Sequence, residues 1–210
     1  MNLQLPKIYP ITDTMLSGLS HTEQVRRLIS GGATLIQLRE KQQQPGDWYA
    51  DALEAAKLCR EKNILCIVND RVDIALAIDA AGVHLGQDDM PVAAARRLLG
   101  SEKIIGLSTH SIEQLEAALC EEIDYAAIGP IFATATKSDH EPVIGLEMLQ
   151  NAAKTAGNVP LVAIGGISEE NLPSVIDAGA SSAAMIGAIL ADPHLIEQRY
   201  RKLTERALQR

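Results

Sequence analysis

The sequence predicts an α/β fold, a (β/α)8 barrel of the TIM type, built as a single domain over residues 1–210. Three observations lead there. Eight strand-like segments alternate strictly with helical ones. The strands are continuous apolar runs, the pattern of a parallel sheet covered on both faces. Several helices also end in the same way, with Gly and then an apolar strand: Ser30-Gly-Gly-Ala, Ala80-Ala-Gly-Val and Asp177-Ala-Gly-Ala. With 210 residues, 47% of them hydrophobic, the chain can fill one sizeable core. That length lies near the short end for such barrels. A doubly wound open sheet is the alternative. It more often carries a Gly-rich dinucleotide fingerprint after strand one, where Thr12-Asp-Thr-Met stands instead.

Lys7 to Asp13 reads as strand one ending in a polar turn, and Thr22 to Ser30 as a helix stopped by Gly31-Gly32. Ala33 to Leu38 is strand two. Asp47 to Lys62 is helical, with Ala50, Leu53, Ala56 and Leu58 as its apolar stripe. Ile64 to Val68 is strand three, Asp73 to Ala80 a short helix, and Gly82 to Leu85 strand four. Pro91 suits the start of a helix that runs to Leu99. Lys103 to Leu107 is strand five, Ser111 to Cys120 a helix, and Asp124 to Ile128 strand six, broken by Gly129-Pro130. Leu146 to Thr155 is a helix and Pro160 to Ile164 strand seven. Ser168, with Glu169 and Glu170, is expected to cap a helix reaching Ala178. Ser181 to Ile186 is strand eight, and an amphipathic helix runs from Pro193 to the C-terminus.

No apolar run of 18 residues exists, and Met1 to Lys7 lacks the architecture of a signal peptide, so no membrane partner is expected. Cys59, Cys66 and Cys120 show no CxxC spacing and read as reduced, buried thiols of a cytoplasmic protein. A net charge of −8 and 3% aromatics disfavour nucleic acid as a partner. If the ligand is a phosphate, the site must supply its own positive charge. A homodimer is compatible with the sequence and not required by it.

In a parallel barrel the functional residues follow the carboxyl ends of the strands. Gln37-Leu-Arg-Glu-Lys41 follows strand two, Asn69-Asp-Arg71 strand three, and Gly86-Gln-Asp-Asp89 strand four. Ser108-Thr-His110, the Thr134-Ala-Thr-Lys137 loop, Gly165-Gly166 and Gly187 follow strands five to eight. Arg39 and Lys41 read as a diphosphate clamp rather than a solvated strand edge. Asp70 and Asp89 could each simply cap the next helix. Neighbouring parallel strands lie roughly 4.8 Å apart, however, so both carboxylates can approach one Mg2+ ion, which takes one or two carboxylates with waters and phosphate oxygens. Asp88 is the weaker candidate beside Asp89. Thr134, Thr136 and Lys137, two hydroxyls and a cation on small spacers, suit a phosphate. Gly165, Gly166 and Gly187 suit backbone N–H contacts to another. His84 reads as a core histidine, while His110 remains open between core and mouth. No nucleophile stands with a base. Departure of a diphosphate needs none, only charge stabilisation on the leaving group.

Taken together, Gln37-Leu-Arg-Glu-Lys41, Val68-Asn-Asp-Arg71, Gly82-Val-His-Leu-Gly-Gln-Asp-Asp89, Gly106-Leu-Ser108, Gly129-Pro-Ile-Phe-Ala-Thr-Ala-Thr-Lys137 and Gly165-Gly-Ile167 resemble the thiamin phosphate synthase family. The similarity runs from about Tyr9 to Ala188. It implies a transferase of thiamine biosynthesis that joins hydroxymethylpyrimidine diphosphate to a thiazole phosphate, with loss of pyrophosphate through a pyrimidine carbocation. It further implies Gln37, Leu38, Arg39, Glu40, Lys41, Asn69, Ser108 and Lys137 around the pyrimidine diphosphate. Arg39, Lys41, Ser108 and Lys137 would be the catalytic members of that set. Thr134, Ala135, Thr136, Gly166, Ile186 and Gly187 would meet the thiazole phosphate, and Asp70 and Asp89 would bind Mg2+. Gly187 stands where many relatives carry Ser, which implies weaker thiazole phosphate binding. Ala133 replaces a common proline. A tautomerase-like relative, a Schiff-base aldolase using Lys41 or Lys137, and a non-catalytic phosphate sensor are the competing readings. The intact Thr-Ala-Thr-Lys run speaks against the first, and the polar surroundings of Lys41 against the second.

Overall fold

The computed structural model describes residues 3–134 and 142–209. Along the chain lie β1 (Ile8–Pro10), α1 (Thr14–Ser17), α2 (His21–Ser30), β2 (Leu35–Leu38), α3 (Pro45–Glu61), β3 (Leu65–Asn69), α4 (Val72–Ala77) and β4 (Gly82–Leu85). Next come α5 (Val92–Leu99), β5 (Ile104–Thr109), α6 (Ile112–Ala118), β6 (Tyr125–Ile128), α7 (Gly145–Ala156) and β7 (Leu161–Ile164). The chain closes with α8 (Leu172–Asp177), β8 (Ser182–Met185), α9 (Gly187–Leu190), a 3-10 turn (Pro193–Leu195) and α10 (Ile196–Leu208). All eight strands pair in parallel, in the order β1-β8-β7-β6-β5-β4-β3-β2. The two edges meet through a bridge between Ile11 and Gln37, and the Thr12 N–H donates to the Gln37 carbonyl at 2.8 Å. The sheet is therefore a barrel, and the open doubly wound alternative falls away.

The sequence dictates this because strands such as Leu35–Leu38 and Tyr125–Ile128 are buried at every position, with helices outside and packed side chains within. Helices start where expected when a hydroxyl is placed to receive an amide. Ser20 caps α2 and Ser111 caps α6, accepting from the Glu23 and Gln114 N–H groups.

Three expectations need correction. In α3 the buried face is Trp48, Ala52, Ala55, Ala56 and Cys59, whereas Ala50 and Leu53 are exposed. The single Trp, a larger apolar surface than any alanine, sets the helix's rotation. Ser168 caps no helix: α8 starts four residues later, and the Ser168 hydroxyl donates to Glu170 at 2.5 Å. Cys120 is exposed just beyond the end of α6, unlike the buried Cys59 and Cys66.

One row of the sheet shapes the barrel interior. His84, Gly106 and Tyr125 stand side by side on β4, β5 and β6. A Cβ on Gly106 would lie 2.1 Å from Cζ of Tyr125, so the phenol ring occupies the space a side chain would take. Across this gap the His84 and Tyr125 rings stack, with centroids 5.5 Å apart at 19°. Replacing Gly106 by Ala is expected to destabilise the fold by about 1–3 kcal/mol through overpacking. Chemical denaturation measures this as a lower midpoint with an unchanged slope.

Candidate active site

Every described candidate lies at or just past the carboxyl end of a strand, so a single rim of the barrel gathers them. Arg39, Glu40 and Lys41 follow β2, Asp70 follows β3, Asp89 follows β4, and Ser108 lies near the end of β5. Thr134 comes after β6, Gly166 after β7, and Ile186 with Gly187 after β8. Ala135, Thr136 and Lys137 lie outside the described residues.

On the side of the rim formed by β1 to β4, each cation is set against a carboxylate. Arg39 donates to Asp13 at 2.7 Å, with both side chains largely buried. Lys41 reaches Asp70 at 2.5 Å, and Arg71 pairs with Asp73. Arg39 and Lys41 thus lean to opposite neighbours of β2, towards the ends of β1 and β3. Asp70 adopts a left-handed backbone at φ 61° and donates its N–H to the His84 carbonyl at 2.7 Å. Such a φ is tolerated by Asp better than by most residues, yet still strained. Asp70 does not cap α4. Asp89 does not cap α5 but accepts the Gly86 N–H at 2.6 Å. Both carboxylates are instead turned towards each other. Burial first, and then the Asp70 carboxylate beside it, push the Asp89 carboxyl above its ordinary value.

Two facing carboxylates with one ammonium nearby fit a hard cation that completes its shell with water and phosphate. No third His, Cys, Asp or Glu joins them among the described residues. This suits Mg2+, which keeps water and substrate oxygens in its shell, better than an all-protein cage.

Glu40 points the other way. Its side chain is 1% exposed and accepts from the Thr14 hydroxyl at 2.8 Å and from the Gln42 and Gln43 amides at 2.7 and 3.2 Å. Burial opposes its charge, but these donors outweigh it and hold the carboxyl below its ordinary range. Behind it His21, whose Nε2 lies 3.5 Å from Glu40, is kept neutral chiefly by burial. Glu40 therefore shapes the loop that carries Lys41.

At the opposite side, glycine brings two loops together. Gly165 and Gly166 have φ 99° and 64°. A Cβ on Gly165 would lie 2.5 Å from Pro130 Cβ, and one on Gly166 2.5 Å from the Ala133 carbonyl oxygen. Phe132 N–H donates to the Gly165 carbonyl at 3.0 Å. The segment leading to Thr134 is thereby seated on the turn after β7. Gly187 opens α9, half-buried, directly after the buried Ile186. Asn69 is half-buried at the end of β3, beside the fully buried Leu38 at the end of β2. His110 faces the chain rather than the mouth: its Nδ1 bonds the Gly129 carbonyl at 2.6 Å.

The barrel interior holds residues that the motif reading passed over. Gln37 donates to the Tyr9 hydroxyl, which bonds Tyr125, which bonds His84, which bonds Ser108. His84 is thus a core histidine, and it also reaches the mouth. A tyrosine inside each of two otherwise apolar strands was the signal available for this network, since a buried hydroxyl demands a partner.

A family model described as thiamine monophosphate synthase matches residues 8–189. The chain is 46% identical over 186 residues to the thiamine-phosphate synthase of Chloroflexus aurantiacus, covering 88% of this chain and 85% of that protein. It is 43% identical over 199 residues to that of Syntrophomonas wolfei, covering 94% of each. The solved thiamine phosphate pyrophosphorylase of Pyrococcus furiosus superposes with a TM-score of 0.87 at 35% identity, over 97% of this chain and 96% of that one. A 3-hexulose-6-phosphate synthase, at 18% identity and a TM-score of 0.67, shares the fold alone.

The crowding of Asp89 has a measurable sign. A carboxyl raised in the folded state binds its proton more tightly there than in the unfolded chain. Without metal, its contribution to stability is therefore lost as pH rises from the ordinary carboxylate value through the folded one. Asp89→Asn keeps an oxygen for the Gly86 N–H and removes the repulsion. In chelator at neutral pH its Tm is expected to rise above that of the parent, and the two are expected to converge as pH falls to the ordinary carboxylate range. Thermal unfolding across pH checks both.

Proposed function

Because this chain belongs to the thiamine monophosphate synthase family, we propose that it joins a hydroxymethylpyrimidine diphosphate to a thiazole phosphate, releasing pyrophosphate. Its activity is that of a thiamine-phosphate synthase, a transferase of thiamine biosynthesis. The choice of substrates rests above all on one rim with two unlike halves. One has Arg39, Lys41 and a carboxylate pair; the other is built from close-packed glycine turns and a threonine.

The diphosphate would lie on the first half, against Arg39 and Lys41, with Gln37, Leu38, Asn69, Ser108 and Lys137 around the pyrimidine end. Glu40 serves this subsite by holding the loop of Lys41. Asp70 and Asp89 would hold Mg2+, which when bound neutralises charge gathering on the departing diphosphate. Lys41 now balances Asp70. With Asp70 holding a metal, the Lys41 ammonium would be free to meet the diphosphate oxygens. The bond from the pyrimidine methylene carbon to oxygen breaks with its electron pair leaving on the diphosphate. The lone pair of the thiazole nitrogen then closes on the resulting carbocation. No proton moves in either step, so neither calls for a general base. The thiazole phosphate would sit on Thr134, Ala135, Thr136, Gly166, Ile186 and Gly187, largely on backbone N–H groups.

We treat residues 1–210 as one catalytic domain. No described helix is long and apolar enough to cross a membrane. We place the protein in the cytoplasm, in keeping with its free cysteines, and carry a homodimer forward as part of the same reading.

Pyrophosphate release from the two purified substrates, with and without Mg2+, tests the proposal. Release is expected only when both substrates and the metal are present, and binding without release would convert the reading to a sensor. In the same assay Lys137→Ala is expected to lower kcat about 10²–10³-fold, as for other donors to developing charge. A change confined to KM would make Lys137 a binding residue only.

A further inference from the structure

Five side chains from five strands form one continuous hydrogen-bonded line through the barrel. Gln37 Nε2 donates to Tyr9 Oη at 3.0 Å, and the Tyr9 and Tyr125 hydroxyls are 2.8 Å apart. Tyr125 Oη is 3.0 Å from Nδ1 of His84, and His84 Nε2 is 2.8 Å from Ser108 Oγ. Proton counting gives the line a direction. An amide N–H only donates, so Tyr9 accepts from Gln37. If Tyr125 also donated to Tyr9, the Tyr9 proton would be left without an acceptor at a fully buried site, which is unfavourable. Tyr9 therefore donates to Tyr125, and Tyr125 to His84 Nδ1. An Nδ1 that accepts leaves the ring proton on Nε2, facing Ser108. Ser108 accepts through its oxygen, so its own proton is left to turn towards the half-exposed mouth.

Two further features keep the line in place. Burial raises both phenols far above neutrality, so each has its proton to give. The space above Gly106 is filled by the Tyr125 ring, which is how the His84 and Tyr125 side chains meet across an intervening strand. The other end of Ser108 is fixed as well, since its carbonyl accepts from the Gln87 amide at 2.6 Å.

We infer that Tyr125 is a positioning residue for the reaction: acting through His84, it holds the Ser108 hydroxyl as a hydrogen-bond donor to the departing diphosphate. Tyr125 itself touches no substrate. A donor aimed at developing negative charge is worth more than one free to rotate, because no reorganisation is needed as the charge appears. The inference rests on the proposed diphosphate subsite, and its test separates the two.

Tyr125→Phe removes only the hydroxyl. It is expected to lower kcat for pyrophosphate release about tenfold while leaving KM for the thiazole phosphate unchanged. In a Ser108→Ala background the same substitution is expected to have no further effect on kcat, because the residue it acts through is gone. An unchanged kcat in Tyr125→Phe, or the same loss in both backgrounds, would overturn the inference. Nitrogen–proton NMR of the parent chain gives a second readout that needs no activity. The His84 ring, assigned by its absence in His84→Asn, is expected as the neutral Nε2–H tautomer at neutral pH. An Nδ1–H ring would reverse the line and overturn the inference. A parent chain that releases no pyrophosphate would remove the subsite reading and the positioning role of Tyr125 with it, while the tautomer would still decide the direction of the line.

Discussion

A barrel interior is apolar, and a polar atom can stay there only with a partner. The Gln37–Tyr9–Tyr125–His84–Ser108 line meets that constraint, and the architecture above and below it depends on the line. Tyr125 can lie across β5 because Gly106 has no side chain. Tyr9 and Gln37 flank the narrow seam where β1 meets β2, so their bond adds a side-chain tie to a closure that the backbone makes with few contacts. Removing Tyr9 or Tyr125 takes a hydrogen-bond partner from neighbours at buried positions. The line therefore couples the closing of the ring to the orientation of a residue at its mouth.

A second constraint acts at the rim. A protein with a net charge of −8 that collects anions must concentrate cations locally and keep them from collapsing on nearby carboxylates irreversibly. Here they are paired in an exposed or half-buried setting. Lys41 with Asp70 is half exposed on the lysine side, and Arg71 with Asp73 more so on the aspartate side. Exposed pairs of this kind contribute roughly 0–1 kcal/mol, so exchanging the carboxylate for a phosphate oxygen costs little. Arg39 with Asp13 is more enclosed, about 12–13% exposed on each side. That arginine is better described as preset in position than as waiting to move.

Much of this was legible in the sequence, for reasons that differ by residue. The alternation of apolar runs with helices ending in Gly pointed to the barrel, and the seam between Ile11 and Gln37 closed it. The polar residues after each strand marked the rim, because a parallel barrel leaves its strand ends no other place to be. Strand adjacency placed Asp70 beside the Asp88-Asp89 pair, and the family resemblance singled out Asp89. What sequence did not show depends on rotation and distance. Trp48 turns α3 so that Leu53 faces outward, and Glu40, inside a run of ligand-like residues, folds back to serve its own loop. The tyrosine bond spans 116 positions, beyond any local pattern. Tyr9 and Tyr125 could have been singled out as polar residues in apolar strands, but nothing local says that they meet.

The two halves of the rim differ in what they are made of, and this bears on how the proposed substrates would be told apart. The turn after β7 and the segment before Thr134 are held by backbone bonds and by glycines that leave no room for a Cβ. On the proposed reading, a phosphate seated there would meet backbone whose position does not depend on pH or metal. The half around Asp70 and Asp89 has the opposite character: its carboxylates repel, one is raised by burial and by the other, and Lys41, in contact with Asp70, offsets both only in part. A phosphate without a metal would add negative charge to that crowding, whereas a diphosphate arriving with a divalent cation would bring the charge that offsets it. On the proposed reading, relief of the repulsion between Asp70 and Asp89 adds to the contacts of Arg39 and Lys41 in selecting the anion that brings a metal. The glycine-built half is then left to whichever phosphate brings no metal with it.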